Sequence, residues 1–263
     1  MAAGVVAAGL LSGPAASARP APDPSLTTMS IKSPPGGANV RVLLFYGSAA
    51  GGDESPLVNA GIAAIERIGQ TGPENQRFTV TATGDPRVFT NDTKLSRFNA
   101  IVFLTGGGDV LDPEQEAGLE AYMEAGGGFV GLHDAARAEP YSDWFTGLIG
   151  ARPAAGQATV QRATVEVGDR VHPATRTLPL EWKRPDKWLN WVKNPSGDVH
   201  TVARVRESTY KPGSGANGWD HPVSWCRDYD GGRSFYTGMG GTVSSYDETD
   251  FREHLRGALL WTT

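Results

Sequence analysis

The chain has 263 residues, 39% of them hydrophobic and 20% charged, with 29 acidic against 24 basic side chains and a formal net charge of −5. That length can bury a full core, and the charges are interspersed, so nothing builds the basic surface that DNA or RNA requires. With Cys226 as its single cysteine, the chain has no intramolecular disulfide and no CxxC pair for a zinc or redox centre.

Residues 1–13 are small and apolar and lead into Ala16-Ser17-Ala18, an A-x-A cleavage pattern, so 1–18 is expected to be a signal peptide and the protein secreted or extracytoplasmic. Residues 19–38 are rich in Pro, Gly and Ser without apolar periodicity and read as a linker ahead of a folded domain over 39–263. No later apolar run approaches the roughly 20 residues of a membrane-spanning helix, so no membrane partner is expected for the mature form.

Residues 40–46 form a continuous β-branched and aromatic run, as in a parallel strand covered on both faces, and 47–55 form the following loop. Pro56 opens a helix with Leu57, Ile62, Ile65 and Ile68 near helical spacing, and 78–82 alternate as a second strand. A third strand, 100–104, runs into Gly106-Gly107-Gly108. Asp112-Pro113-Glu114 supplies the cap, first-turn proline and first-turn acid of a helix reaching Ala125, and Gly126 to Gly128 end it before a fourth strand at 129–132. This repeated β-loop-α order predicts an α/β fold with a doubly wound, mostly parallel sheet. Beyond Gly150 the pattern becomes β-rich, with strands at 159–167, 199–205, 224–229 and 234–238, and a closing helix over 248–261 carries Phe251, Leu255 and Leu259 on one stripe.

Ligands of open α/β sheets bind beyond the carboxyl ends of the strands, which directs attention to the loops after Tyr46, Leu104 and Leu132. The first, Gly47-Ser48-Ala49-Ala50-Gly51-Gly52, lacks both GxGxxG spacing and a P-loop lysine. Gly131-Leu132-His133-Asp134-Ala135 is the sharpest signal, because a strand running into a tight small-residue turn projects its middle residue at the mouth of the sheet. His133 there could act as base, metal ligand or hydrogen-bond donor, or be a buried histidine satisfied by backbone. His172-Pro173 and His221-Pro222 stand where strands meet turns and read first as structural, as do His200 and His254. The segment 182–191 packs Trp182, Trp188 and Trp191 with Asp186 and three cations, which suits either a sugar platform or a tryptophan core. Cys226, between Trp225 and Arg227 in a strand, reads as a small buried hydrophobe.

In order and spacing these pieces resemble the ThuA-like (trehalose utilisation) family: the first strand, Gly131-Leu132-His133, His172-Pro173-Ala174-Thr175, Leu178-Pro179 with Trp182, Asp186 with Trp188, His221-Pro222 with Trp225, and Gly238-Met239-Gly240 with Thr242. The resemblance implies a flavodoxin-like scaffold related to the class I glutamine amidotransferases, with His133 where those enzymes carry their nucleophilic cysteine. It also implies a role on carbohydrate, a disaccharide or an oxidised (keto) derivative. The chain carries Asp53, Lys187 and Gly241 where the family pattern has a histidine, an acid and a histidine, changes that would remake a proton-transfer or metal site.

The leading expectation is therefore an extracytoplasmic protein acting on a small carbohydrate, with His133 and Asp186 in acid/base roles and Asp134, His172, Trp182, Trp188, His221 and Trp225 forming the binding site. A catalytically silent sugar-binding module is the first alternative. A metal-dependent hydrolase or lyase, with His133, His172, His221 and Asp186 converging, is the second, although no HxxxH-type spacing supports it and no cofactor is specified. A two-carboxylate retaining glycosidase and a thiol amidotransferase find no matching pair or elbow cysteine.

Overall fold

The computed structural model describes residues 40–48, 55–90, 92–104, 107–156 and 158–263. The expected signal peptide, the linker and Asp53 lie outside the described residues. In chain order the strands and helices are β1 (Val40–Phe45), α1 (Pro56–Gln70), β2 (Phe78–Thr83), α2 (Asp92–Leu95), β3 (Ala100–Phe103), α3 (Pro113–Glu124), β4 (Gly128–Leu132), α4 (Asp143–Ile149), β5 (Val160–Val167), β6 (Glu181–Lys187), β7 (His200–Arg206), β8 (Pro222–Tyr229), β9 (Gly232–Thr237) and α5 (Thr249–Thr262). None of the described helices is long and apolar enough to cross a membrane.

All nine strands join one sheet in the order β2-β1-β3-β4-β9-β8-β7-β5-β6. Alternation along β1 and β3 sends Val42, Leu44 and Val102 to one face, against α1 and α5, and Leu43, Phe45, Ile101 and Phe103 to the other, against α3 and α4. A strand covered on both faces needs apolar residues at every position, which is why these runs are continuous rather than alternating. Helix α3 starts as its sequence indicates: Asp112 accepts the N–H groups of Glu114 and Gln115, and the Gln115 side chain closes the capping box.

The sheet departs from the expected mostly parallel form. Four described pairings are parallel and four antiparallel, and the later strands continue the same sheet. One of the antiparallel pairings comes from the two-residue turn Asp230-Gly231, with φ of 49° and 89° at its two positions, which returns the chain as a tight hairpin from β8 to β9. Strand β9 thereby runs antiparallel to β8 and parallel to β4, stitching the two halves together.

Strand β6 forms the far edge, where Pro185 is tolerated. Five strand spacings separate β6 from β4, about 24 Å along a flat sheet at ~4.8 Å each. The two strands nevertheless meet at their carboxyl ends, where His133 Nε2 lies 3.0 Å from the Lys187 carbonyl oxygen. The antiparallel half therefore curls back over the end of β4. Register shifts between β7 and β8, at Thr201/Ala203 and Ala203/Arg204, lie on the path from β4 to β6, and irregularities of this kind increase local bend and twist.

Candidate functional site

The site lies where this curl closes. Leu132 ends β4 fully within the core, and the chain turns at once into a short 3-10 segment, His133–Arg137, whose Ala135 and Ala136 are small enough to be buried under it. His133 has φ 42°, in the left-handed region that costs a non-glycine residue about 1–3 kcal/mol. Surrounding bonds hold it there: the Tyr236 hydroxyl donates to the His133 carbonyl at 2.7 Å, and the imidazole is pinned at Nε2.

A carbonyl only accepts, so Nε2 carries the proton that it donates to Lys187, and Nδ1 is the ring's basic nitrogen. Nδ1 is buried without a hydrogen bond, 3.3 Å from Asp134 Oδ2 in an ion-pair contact. Burial opposes charge on this imidazole, yet the adjacent Asp134 carboxylate, the nearby charge of Asp186 and the Lys187 carbonyl together raise its pKa. For Asp134 burial likewise acts against the charged form and is outweighed by His133, Arg137 and Lys187, so its pKa is lowered. The His133–Asp134 pair is thus biased toward imidazolium and carboxylate. Its outer member is Asp134, with 31% of its side chain exposed against 4% for His133.

Asp186 sits beneath this pair and does not face open space. Its Oδ1 accepts the N–H groups of Lys187 at 2.8 Å and Gly241 at 2.9 Å. Its Oδ2 accepts from Gly240 N–H at 2.8 Å and the Ser245 hydroxyl at 3.3 Å, with Arg184 Nη1 paired at 2.9 Å. Those contacts use the acceptor capacity of a carboxylate. Asp186 is fully buried and holds the 240–241 turn against His133. Gly241 is required by proximity, since a Cβ there would stand 2.5 Å from His133 Nε2. The His133 ring fills the space that a side chain at 241 would need.

In front of the pair opens a cleft of about 330 Å³ lined by His133, Asp134, Arg137, Lys187 and Leu189, with Gly156 and Ala158 on its wall. It continues into a second recess of about 180 Å³ bordered by Trp188, Asn190 and the 212–214 loop. Of the expected site residues, His133 and Asp134 line the cleft and Trp188 lines the recess, while Asp186 supports the cleft from below. Arg137 and Leu189 were not anticipated. The signal for Arg137 was its position three residues after Asp134, on the same side of a 3-10 turn, where its Nε donates to Asp134 Oδ1 at 3.2 Å.

The remaining candidates are not brought to the cleft. Trp182 is buried, donates to Glu248 at 2.6 Å and carries the Arg184 guanidinium on its ring. Trp225 is a core side chain donating to the Ile149 carbonyl at 2.8 Å and packed on Trp191 and Tyr236. His221 is buried with both ring nitrogens engaged, by Glu207 and by the Leu189 carbonyl. His172 is wedged between Phe235 and Trp261, and burial pushes its pKa down to about 4. Among the described residues no three His, Cys, Asp or Glu side chains converge as a metal ion would need, so the His133, His172, His221 and Asp186 constellation does not assemble. Cys226 is buried and burial pushes its thiol up to about 12, far from a nucleophile's range.

The family model for ThuA, trehalose utilisation, matches residues 41–262. The chain belongs to the ThuA family. Two solved ThuA-like structures are similar to it. One, from Bacteroides uniformis ATCC 8492, is 22% identical over 85% of this chain and 91% of that one, with a TM-score of 0.71. The other, from Parabacteroides merdae ATCC 43184, is 18% identical over 85% of this chain and 90% of its own, with a TM-score of 0.67. A β-galactosidase from Rahnella sp. R3 also shares the fold, at 13% identity and a TM-score of 0.51, covering 82% of this chain but 30% of that one. No curated protein matches the chain significantly. Membership in the ThuA family makes a carbohydrate-related role the natural frame for the cleft.

Proposed function

We propose that this ThuA-family chain is an exported protein that binds a small carbohydrate, a disaccharide or its oxidised (keto) derivative, in the cleft beside His133 and acts on it by acid/base chemistry. The observation that carries this reading is the His133–Asp134 pair: a buried imidazole pinned at Nε2, with its basic nitrogen turned to a carboxylate that lines the cleft. In this arrangement Asp134 meets the ligand and His133 stores or returns the proton behind it. Small-molecule sites occupy about 300–1,000 Å³, a range that accommodates the cleft. The scaffold reading is flavodoxin-like and doubly wound, of the class I amidotransferase kind; the order β2-β1-β3-β4-β9 with helices on both faces supports it. Export rests on the Ala16-Ser17-Ala18 pattern alone.

One observation favours the catalytically silent alternative. Asp134 is the single carboxylate among the described cleft residues, so a two-carboxylate glycosidase mechanism has no second partner there. The deciding experiment measures melting temperature, sugar affinity and sugar turnover on His133→Ala. Turnover in the wild type, lost in the variant by tenfold or more with the fold intact, supports the acid/base reading; binding without turnover supports the silent module. A destabilised variant with wild-type affinity removes the cleft assignment.

A further inference from the structure

The charges of the cleft do not balance. Asp134 is its single described carboxylate, and both of its oxygens are engaged, Oδ1 by Arg137 Nε and Oδ2 by the His133 ring. Against it stand two basic side chains, Arg137 and Lys187, on a chain whose net charge is −5. The guanidinium is oriented by a second bond, Nη2 to the Gly156 carbonyl at 3.0 Å, which leaves Nη1 with no partner among the described residues. Lys187 is fixed at its backbone from both sides, its N–H on Asp186 and its carbonyl on His133, so its side chain leaves from a set point at the cleft wall. None of the described carboxylates pairs with its ammonium, although Asp134 feels its charge.

We propose that the cleft selects an anionic carbohydrate, a polyol bearing a carboxylate or phosphate oxyanion, with Lys187 and Arg137 Nη1 as its counter-charges. This rests on the carbohydrate reading of the same cleft and assigns the ligand an anionic group that a plain disaccharide or its keto derivative lacks. An isolated excess cation in a partly enclosed cleft gains most from a ligand that brings its own anion, and a guanidinium and an ammonium lining one cleft suit an oxyanion better than a neutral hydroxyl. The lowered pKa of Asp134 keeps the cleft's own carboxylate ionised and engaged rather than free to neutralise Lys187.

The test is calorimetric titration of the full chain at pH 7 and low salt with D-gluconate, glucose 6-phosphate, D-glucose and trehalose, with acetate and inorganic phosphate as controls. The expected result is at least a tenfold preference for an acidic sugar over the neutral ones. Lys187→Gln abolishes that preference, Lys187→Arg retains it, and melting temperatures stay near wild type because the lysine side chain makes no bond among the described residues. Gluconate ahead of glucose 6-phosphate identifies a carboxylate, and the reverse order identifies a phosphate. Neutral sugars binding as tightly as acidic ones, with no effect of Lys187→Gln, overturn the charge assignment and leave the carbohydrate reading standing. Acetate or phosphate binding as tightly as the acidic sugars also overturns it, since the polyol then contributes nothing. Failure of every sugar to bind overturns both.

Discussion

The contact between Gly241 and His133 can be tested by adding a single methyl group. Gly241→Ala would place Cβ 2.5 Å from Nε2 and 2.8 Å from both Cδ2 and Cε1 of the imidazole. Gly241 is not among the residues with positive φ, so alanine is allowed by the backbone and the cost comes from the contact alone. Neither side yields freely: the ring is tied to Lys187, and the turn is tied to Asp186 through two N–H groups. Overpacking costs about 1–3 kcal/mol and a broken hydrogen bond about 0.5–1.5, so the variant should lose about 2–4 kcal/mol. For a domain of this size that is a drop of about 4–16 °C in Tm. In a His133→Ala background the obstructing ring is absent, and the same change should cost under about 1 kcal/mol. Urea denaturation of wild type, both single variants and the double variant gives the coupling energy directly. If Gly241→Ala costs the same with and without His133, within about 0.5 kcal/mol, the contact has been misjudged.

Two further outcomes follow from the buried charges. Asp186→Asn should lower stability by about 1–3 kcal/mol in urea denaturation, because Arg184 keeps only Glu248 as an anionic partner and the amide turns its NH2 toward donors that a carboxylate oxygen accepted; a stable variant that has lost ligand binding would instead make Asp186 a group that touches the ligand. His172, held neutral with its pKa near 4 against about 6.5 in the unfolded chain, binds no proton in a window where the unfolded chain does. Stability should therefore fall as pH drops from 6.5 to 4, by up to about 3 kcal/mol from this residue, with His254 acting in the same direction and the raised His133 losing its contribution only as pH climbs above 6.5. His172→Asn should flatten the decline between pH 7 and 4.5 in denaturation curves, and an unchanged slope would place the acid sensitivity elsewhere.

The parallel half of the molecule was legible because its signals are local. Continuous apolar runs marked β1, β3 and β4, and Asp112-Pro113 marked the start of α3. Strand β6 was not, since its inward positions are Trp182, Arg184 and Asp186, and two buried charges disguise the alternation of a half-buried strand. The Asp230-Gly231 turn was a readable hairpin signal, but its effect on sheet direction depends on β9 pairing with β4 far back in the chain. His133 could be located from the tight turn that follows β4. The opposite wall of the cleft could not, because Lys187 and Leu189 reach it only through the curl of the sheet, and no local pattern encodes that curl.

That curl also sets the order in which the molecule becomes competent. His133 and Lys187 are 54 residues apart in sequence, and their contact requires β9 to have joined β4 and the edge strand to have swung over it. Non-local pairings of this kind form late, after the loop-closure entropy of the intervening chain has been met. Ligand capture is therefore a report on a formed cleft, and a bound ligand stabilises only the form in which His133 and Lys187 have met.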